Sequence, residues 1–508
     1  MNMPGDWRPF GSRPALALVV ALVATCAASP VLAQVGPLTA QTLFFDQASN
    51  SRSGNYVDLQ AGMVYTDNVD LTRNGTGDTL AVLGLAADTS RQGPRLEYHL
   101  NSDISFVKYL KEEFQTRPYG YLDGDLAFKI IPGFFSWTAR ETYVDAVIIP
   151  TQAATPDNLE GINFATTGPR FTLRPTLRTT IVINGSYSYI DSNSQSPLYV
   201  NIDNRRYAGD ATINQALSNT TSVYLGGSWQ KVNFVDDTIN TNFTEEQGTL
   251  GYKYADARTV LDVSGGYAKL RVGPQTTTVP VIGGQTRQQT IDESPSGATY
   301  RLELSRLISP TQRVSFHALQ QVADAANMFR LDVDGPVVSV LPQRVASGDP
   351  FTNREFGLDY RFQASRTSLD IALFDISERY KVNPTSNRDI KGANALLARQ
   401  LTPVLNWEVG LDYQRQNYNS TTGALNQISA ITSLRWQLGQ RFGLRFIYAH
   451  ASLNPHRYDE NQVGITVSYA LVGTPQTNGV GSPLLLPTSP MSPQYPAQMP
   501  LSPSPSPQ

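Results

Sequence analysis

The residues of this chain that could do chemistry are charged, and they recur with a spacing of two. Arg95, Glu97, His99, Asn101 and Asp103 form one row, and Asp123, Asp125, Lys129 and Arg140 belong to another. Arg206, Asp210, Arg301, Glu303, Glu355, Asp359, Arg361, Asp370, Glu408, Asp412, Arg435 and Arg445 continue the pattern. Apolar residues stand between them, so period two puts the charged set on one face and the apolar set on the other. Acids and bases are interspersed. Such a wall hydrogen-bonds water and hydroxyl-rich solutes without strong charge selection, whereas an anion-selective pore shows rings of Arg and Lys. The plainer reading is that these residues pair across the wall and keep it rigid, and for any single residue both readings stand.

Motifs for catalysis are poor. The histidines are His99, His317, His450 and His456. The first two fall on the charged face without metal-type spacing. His450 and His456 lie near Asp459 and Glu460 and come closest to a ligand set. Asp67, Asn68 and Asp70 lack the spacing of an EF-hand. Asp236-Asp237 with a histidine would suit a barrel protease, and Ser, His and Asn on one face a lipid hydrolase. Neither constellation can be assembled from spacing alone. No catalytic residue, cofactor-binding residue or metal ligand is assigned, and the chain reads as a non-enzyme.

The elements that position these residues are strands. Between Tyr119 and Val144, Leu122, Gly124, Leu126, Phe128 and Ile130 alternate with Tyr121, Asp123, Asp125, Ala127 and Lys129. Pro132-Gly133 turns the chain, and Phe135, Trp137 and Ala139 then alternate with Ser136, Thr138 and Arg140. A soluble sandwich also alternates, but its packed core would reject Asp, Lys and Arg on the inner face. Runs of about 11 residues suit tilted strands crossing a bilayer. Similar strands are expected at 56–65, 79–88, 95–106, 162–173, 179–190, 205–217, 221–234, 244–254, 259–272, 296–307 and 312–322. The series continues at 353–363, 367–378, 388–399, 404–417, 425–437, 441–452 and 459–471. Connections alternate between short turns, as at Pro132-Gly133 and Gly439-Gln440, and long loops, as at 145–161, 191–204, 273–295 and 323–352. These features predict an all-β fold, a closed antiparallel up-and-down transmembrane β-barrel of about 18–20 strands over 56–471. The short turns face the periplasm, and both barrel termini lie on that side, which requires an even number of strands. Tyr187, Tyr189, Trp229, Tyr252, Tyr254, Tyr267, Trp407, Tyr413 and Tyr469 cluster near strand ends as two headgroup-level girdles.

The ends differ from the middle. Residues 1–33 read as a signal peptide, with Arg8 and Arg13 before an apolar run and cleavage expected after Ala33. A lipoprotein signal ending at Cys26, the only cysteine, is the rival reading. Residues 34–55 form a polar periplasmic lead. Residues 472–508 are rich in Pro and Ser and read as a flexible periplasmic tail. Only 16% of residues are charged, the mean hydropathy is −0.26 and the net charge is −3, which offers no footprint for nucleic acid.

Four segments, 56–75, 204–234, 242–267 and 298–327, are similar to the outer-membrane beta-barrel porins of type 2, which are found beside exopolysaccharide and PEP-CTERM gene clusters. The first reads YVDLQAGMVYTDNVDLTRNG. The resemblance implies a barrel in the outer membrane of a Gram-negative bacterium, surrounded by outer-membrane lipid. It further implies polysaccharide as the transported solute and a periplasmic polysaccharide-export protein as partner, with no catalytic residue to carry over. From the residues alone, a general or sugar-selective diffusion porin stays open, as does a structural anchor or an outer-membrane enzyme.

Overall fold

In a computed structural model the described residues are 55–148, 153, 155–193, 201–236, 242–272, 275–281, 285–291, 296–324, 349–380, 384–419, 424–454 and 458–473. The expected signal, almost all of the lead and nearly all of the tail lie outside them. The first strands are β1 (Tyr56–Thr66), β2 (Asp78–Gln92), β3 (Leu96–Tyr109), β4 (Arg117–Ile131), β5 (Phe135–Val147), β6 (Leu159–Leu173) and β7 (Thr179–Asn193). They are followed by β8 (Asn204–Ala216), β9 (Thr221–Phe234), β10 (Phe243–Ala255), β11 (Thr259–Val272), β12 (Gln275–Val281), β13 (Gln285–Ile291), β14 (Ser296–Ser309) and β15 (Gln312–Ala323). The last are β16 (Phe351–Gln363), β17 (Thr367–Tyr380), β18 (Arg388–Thr402), β19 (Leu405–Tyr418), β20 (Ala424–Gln437), β21 (Phe442–Asn454) and β22 (Tyr458–Val472).

Twenty of these strands form one sheet, each antiparallel to its neighbours, and β1 pairs with β22 to close it. The fold is therefore an all-β, closed, antiparallel 20-strand barrel. Among the described residues no helix is long and apolar enough to cross a membrane. Two expectations change. The loop at 273–295 contains a separate two-stranded hairpin, β12–β13. The last strand runs one residue further than expected, to Val472, and Gly473 turns away with φ +81°.

Alternation explains the wall. Leu59, Met63, Leu83, Phe106, Phe128, Leu225, Leu250 and Ile465 are exposed large apolar side chains on strands, a pattern that suits lipid rather than water. Exposed aromatic rings stand toward both ends of the barrel. Trp137, Tyr252, Trp407 and Trp436 mark the short-turn end, and Tyr187, Tyr207, Trp229, Tyr267 and Tyr413 the long-loop end, all exposed. Barrel strands run from 11 to 15 residues, and most exceed the roughly 9–11 a crossing needs.

The short turns are held locally. In the turn after β10, Asp256 Oδ1 accepts the backbone N–H groups of Arg258 and Thr259 at 2.7 and 2.6 Å. Tyr254 donates its hydroxyl to Asp256 Oδ2 at 2.6 Å. The Tyr254 hydrogen bond, helped by the backbone donors, holds the Asp256 carboxyl below its ordinary range.

Candidate functional site: the lumen wall and its outer mouth

Register brings the inward charges of different strands side by side. His99 lies opposite Asp125, which lies opposite Arg140; one step along, Asn101 lies opposite Asp123 and Asp123 opposite Thr142. Arg140 Nη2 meets Asp123 Oδ1 at 3.0 Å and its Nε meets Asp125 Oδ1 at 3.6 Å. Thr142 donates to Asp123 Oδ1 at 3.1 Å, and Lys129 pairs with Glu97. His99, Asp123 and Asp125 place ligand-type atoms within 4.8 Å of one another. The Arg140 guanidinium already bridges both carboxylates, so a cation entering there would have to displace it.

A second group sits on β9–β14. The Tyr224 hydroxyl donates to Asp262 Oδ1 at 2.9 Å, and Lys253 Nζ lies 3.4 Å from Asp262 Oδ2 and 4.9 Å from the Tyr224 ring centroid. Arg301 Nε donates to Glu303 Oε1 at 2.7 Å. On β15–β17, His317 lies 3.0 Å from Glu355 Oε1 and 3.7 Å from Asp359 Oδ2, and Arg361 pairs with Asp370. On β19–β21, Ser433 donates to Glu408 Oε2 at 3.0 Å, and Arg435 and Arg445 are register partners. Asp103, Asp210 and Asp412 are buried along the same inward faces, with Asn184 donating to Asp210 at 2.8 Å.

One expected wall residue is elsewhere: Arg95 lies in the exposed β2–β3 turn, where its carbonyl accepts the Lys129 N–H at 2.7 Å. The strand begins one residue later, at Leu96, than the alternation suggests. His450 does not join Glu460. It points outward to Asn461 Oδ1 at 3.1 Å, while Glu460 is buried and accepts from Thr66 Oγ1 at 2.7 Å. His456 and Asp237 lie outside the described residues. Asp67, Asn68 and Asp70 serve as hydrogen-bond anchors in their loop instead of converging as ligands.

The mouth differs from the charged wall below it. On the long-loop side, inward positions turn apolar. Val64, Leu80, Val107, Tyr109 and Tyr119 pack together, as do Phe164 with Ile190, Val232 with Phe243 and Leu270, and Phe351 with Tyr380. The β1–β2 loop, residues 67–77, folds onto this collar. Val69 packs into the group on β1–β4, and Leu71 packs against Tyr418, Leu425, Leu453 and Tyr458. Leu71 holds a left-handed φ of +50°, a strained setting for a branched side chain that its burial offsets. Asn68 clamps the loop by donating to the Thr72 and Asp459 carbonyls at 2.8 and 2.9 Å. A Cβ at Gly75 would lie 1.9 Å from Asn68 Oδ1, so only glycine passes there.

Two charged pairs are buried in the collar. Arg206 meets Asp324 at 2.7 Å, and Arg388 meets Glu378 at 2.7 Å. Sequence reasoning missed Arg388, Glu378 and Asp324, and in the lower wall Tyr224, Lys253 and Asp262. For Lys253 the signal was present, since Tyr252 and Tyr254 already point outward on either side of it.

No family model matches this chain, and no curated protein matches it. Solved structures similar to it include the siderophore receptor PirA from Pseudomonas aeruginosa, at 9% identity over 82% of this chain and 81% of that one, with a TM-score of 0.41. The FrpB iron transporter from Neisseria meningitidis is 9% identical over 86% and 84%, with a TM-score of 0.42. The copper transporter OprC is 10% identical over 83% and 82%, with a TM-score of 0.42. Likeness at this level concerns barrel architecture alone. The chain's own topology, a closed barrel of 20 antiparallel strands, is an architecture by which strands can span a membrane.

Proposed function

We propose that this barrel is the outer-membrane exit for a secreted polysaccharide. The observation that carries the proposal is the contrast along the lumen: a wetted wall of mixed charge below, and an apolar collar with the β1–β2 loop folded onto it above. Interspersed Arg, Lys, Asp and Glu offer donors and acceptors to hydroxyl-rich polymer without holding one charge type. An apolar constriction resists water and small solutes until something displaces the loop, which suits an exporter that must stay tight between cargoes. The resemblance of 56–75, 204–234, 242–267 and 298–327 to type 2 porins supports the same reading. A periplasmic polysaccharide-export protein would then dock on the short-turn face, with 472–508 as a tether, and no catalysis is required of the barrel.

The second reading is a diffusion porin for sugars, favoured by the same mixed wall. Deleting the gene separates them. Loss of surface polysaccharide with unchanged sugar uptake supports export; intact polysaccharide with slowed uptake of a small sugar supports the porin and removes the export reading.

A further inference from the structure

Register stacks four rows of side chains on the outward face of β8–β11, descending from the long-loop end. The uppermost is Tyr207–Lys231–Thr244–Arg271, and below it comes Gly209–Trp229–Glu246–Lys269. The third is Ala211–Gly227–Gly248–Tyr267, and the fourth Ile213–Leu225–Leu250–Gly265. Lys231, Lys269 and Arg271 are exposed. Glu246, the acid among them, is taken by Arg271 at 2.9 Å, and Lys231 and Lys269 have no ion-pair partner among the described residues. Asp191 and Asp203 stand off this group, at the Tyr189–Arg205 edge. Lys231 and Arg271 are separated by one intervening strand, roughly 10 Å across the sheet.

A separate observation lies just beneath the cations. Gly227 and Gly248 are register partners, both exposed, and Tyr267 stands beside them. A Cβ at Gly248 would meet nothing within 4 Å, and one at Gly227 would first meet Gln247 O at 3.8 Å. No packing inside the protein requires these glycines. Their effect is a floor of bare backbone between Trp229 and Tyr267, open to the lipid side.

We infer that this face seats an outer-leaflet glycolipid carrying more than one phosphate on its headgroup. The phosphates sit on Lys231, Lys269 and Arg271, where charge-assisted hydrogen bonds are strongest. An acyl chain lies over Gly227 and Gly248, and the flanking rings hold it at headgroup level. The wide cationic row matches a headgroup with spaced phosphates better than a single phosphodiester.

Native mass spectrometry of the detergent-purified full chain tests this, with lipid A, lipid A stripped of phosphate, and phosphatidylglycerol as probes. The expected result is retention of lipid A, with at least tenfold weaker binding of the stripped form and of phosphatidylglycerol. K231Q/K269Q/R271Q should lose at least tenfold for lipid A. G248L should weaken it without any change of charge, and K391Q/R415Q, outward on β18–β19, should not. Equal binding of stripped and intact lipid A overturns the inference, as does equal binding of phosphatidylglycerol or an equal loss in K391Q/R415Q. The comparison of intact with stripped lipid uses wild-type protein, so it decides the matter even if a variant does not assemble.

Discussion

Arg388 and Glu378 face each other across β17 and β18 at the mouth, joined by two hydrogen bonds of 2.7 and 3.0 Å, with both side chains 1% exposed. Tyr380 adds its hydroxyl to Glu378 Oε2 at 3.1 Å. The pair is a buried bidentate bridge within a largely apolar collar. Removing one partner strands the other without water, so R388M or E378Q alone should cost about 3–5 kcal/mol. The double variant should cost less than the sum. Thermal unfolding in detergent, followed by the gel shift between folded and unfolded barrel, measures both. By contrast Lys391 and Asp375 meet at 3.1 Å with side chains 63% and 47% exposed, and D375N should change stability by less than about 0.5 kcal/mol.

Leu71 holds the β1–β2 loop in the collar. L71D puts a carboxylate into that apolar cluster, and N68A removes the clamp to Asp459. Each should release the loop and raise small-solute conductance, on the order of tenfold if an apolar constriction is the barrier. Planar-bilayer recording reads this directly. Conductance equal to wild type in both variants would mean that the loop does not limit passage.

His317 covers Gly357, its register partner, where an added Cβ would fall 1.9 Å from the ring. G357V must push the ring off Glu355, and overpacking of this kind costs about 1–3 kcal/mol. H317A should recover most of that loss when combined with G357V. A double-mutant cycle on detergent unfolding shows whether the two positions couple.

The tail is tested by truncation after Gly473, which keeps the whole of β22. The shortened chain should assemble normally. If the tail tethers a periplasmic partner, polymer secretion and co-purification of that partner should both fall. Unchanged secretion and unchanged co-purification would remove the tail from the docking surface.

The strands were legible in the sequence because a barrel wall keeps strict period two, and every expected strand is present. The sign of the pattern was not legible throughout. In the lower wall an apolar residue means lipid and a charge means lumen. On the upper part of β9 the sense inverts: Val232 and Phe234 are buried inward, and Lys231 faces out. Strands of up to 15 residues rise above the hydrocarbon core, where polar surroundings lie outside and packing lies inside, so alternation persists with its meaning reversed. The inward charged rows lie mostly below that crossover. The collar lies above it and was not foreseen. Arg95 failed for a smaller reason, since a turn boundary cannot be read from alternation alone.

The β1–β22 pair has a consequence for how the molecule is made. Every other strand meets its neighbour through a hairpin, apart from the β11–β14 step over its inserted hairpin, so most of the sheet can form from local contacts as the chain emerges. Thr66 meets Glu460 across 394 residues, and no earlier event can bring them together. Until β22 is in place, the sheet has two long unpaired edges, each a template for wrong pairing. Closure is therefore the slow, high-contact-order step. Whatever shields those edges during insertion must hold β1 until nearly the whole chain has been delivered.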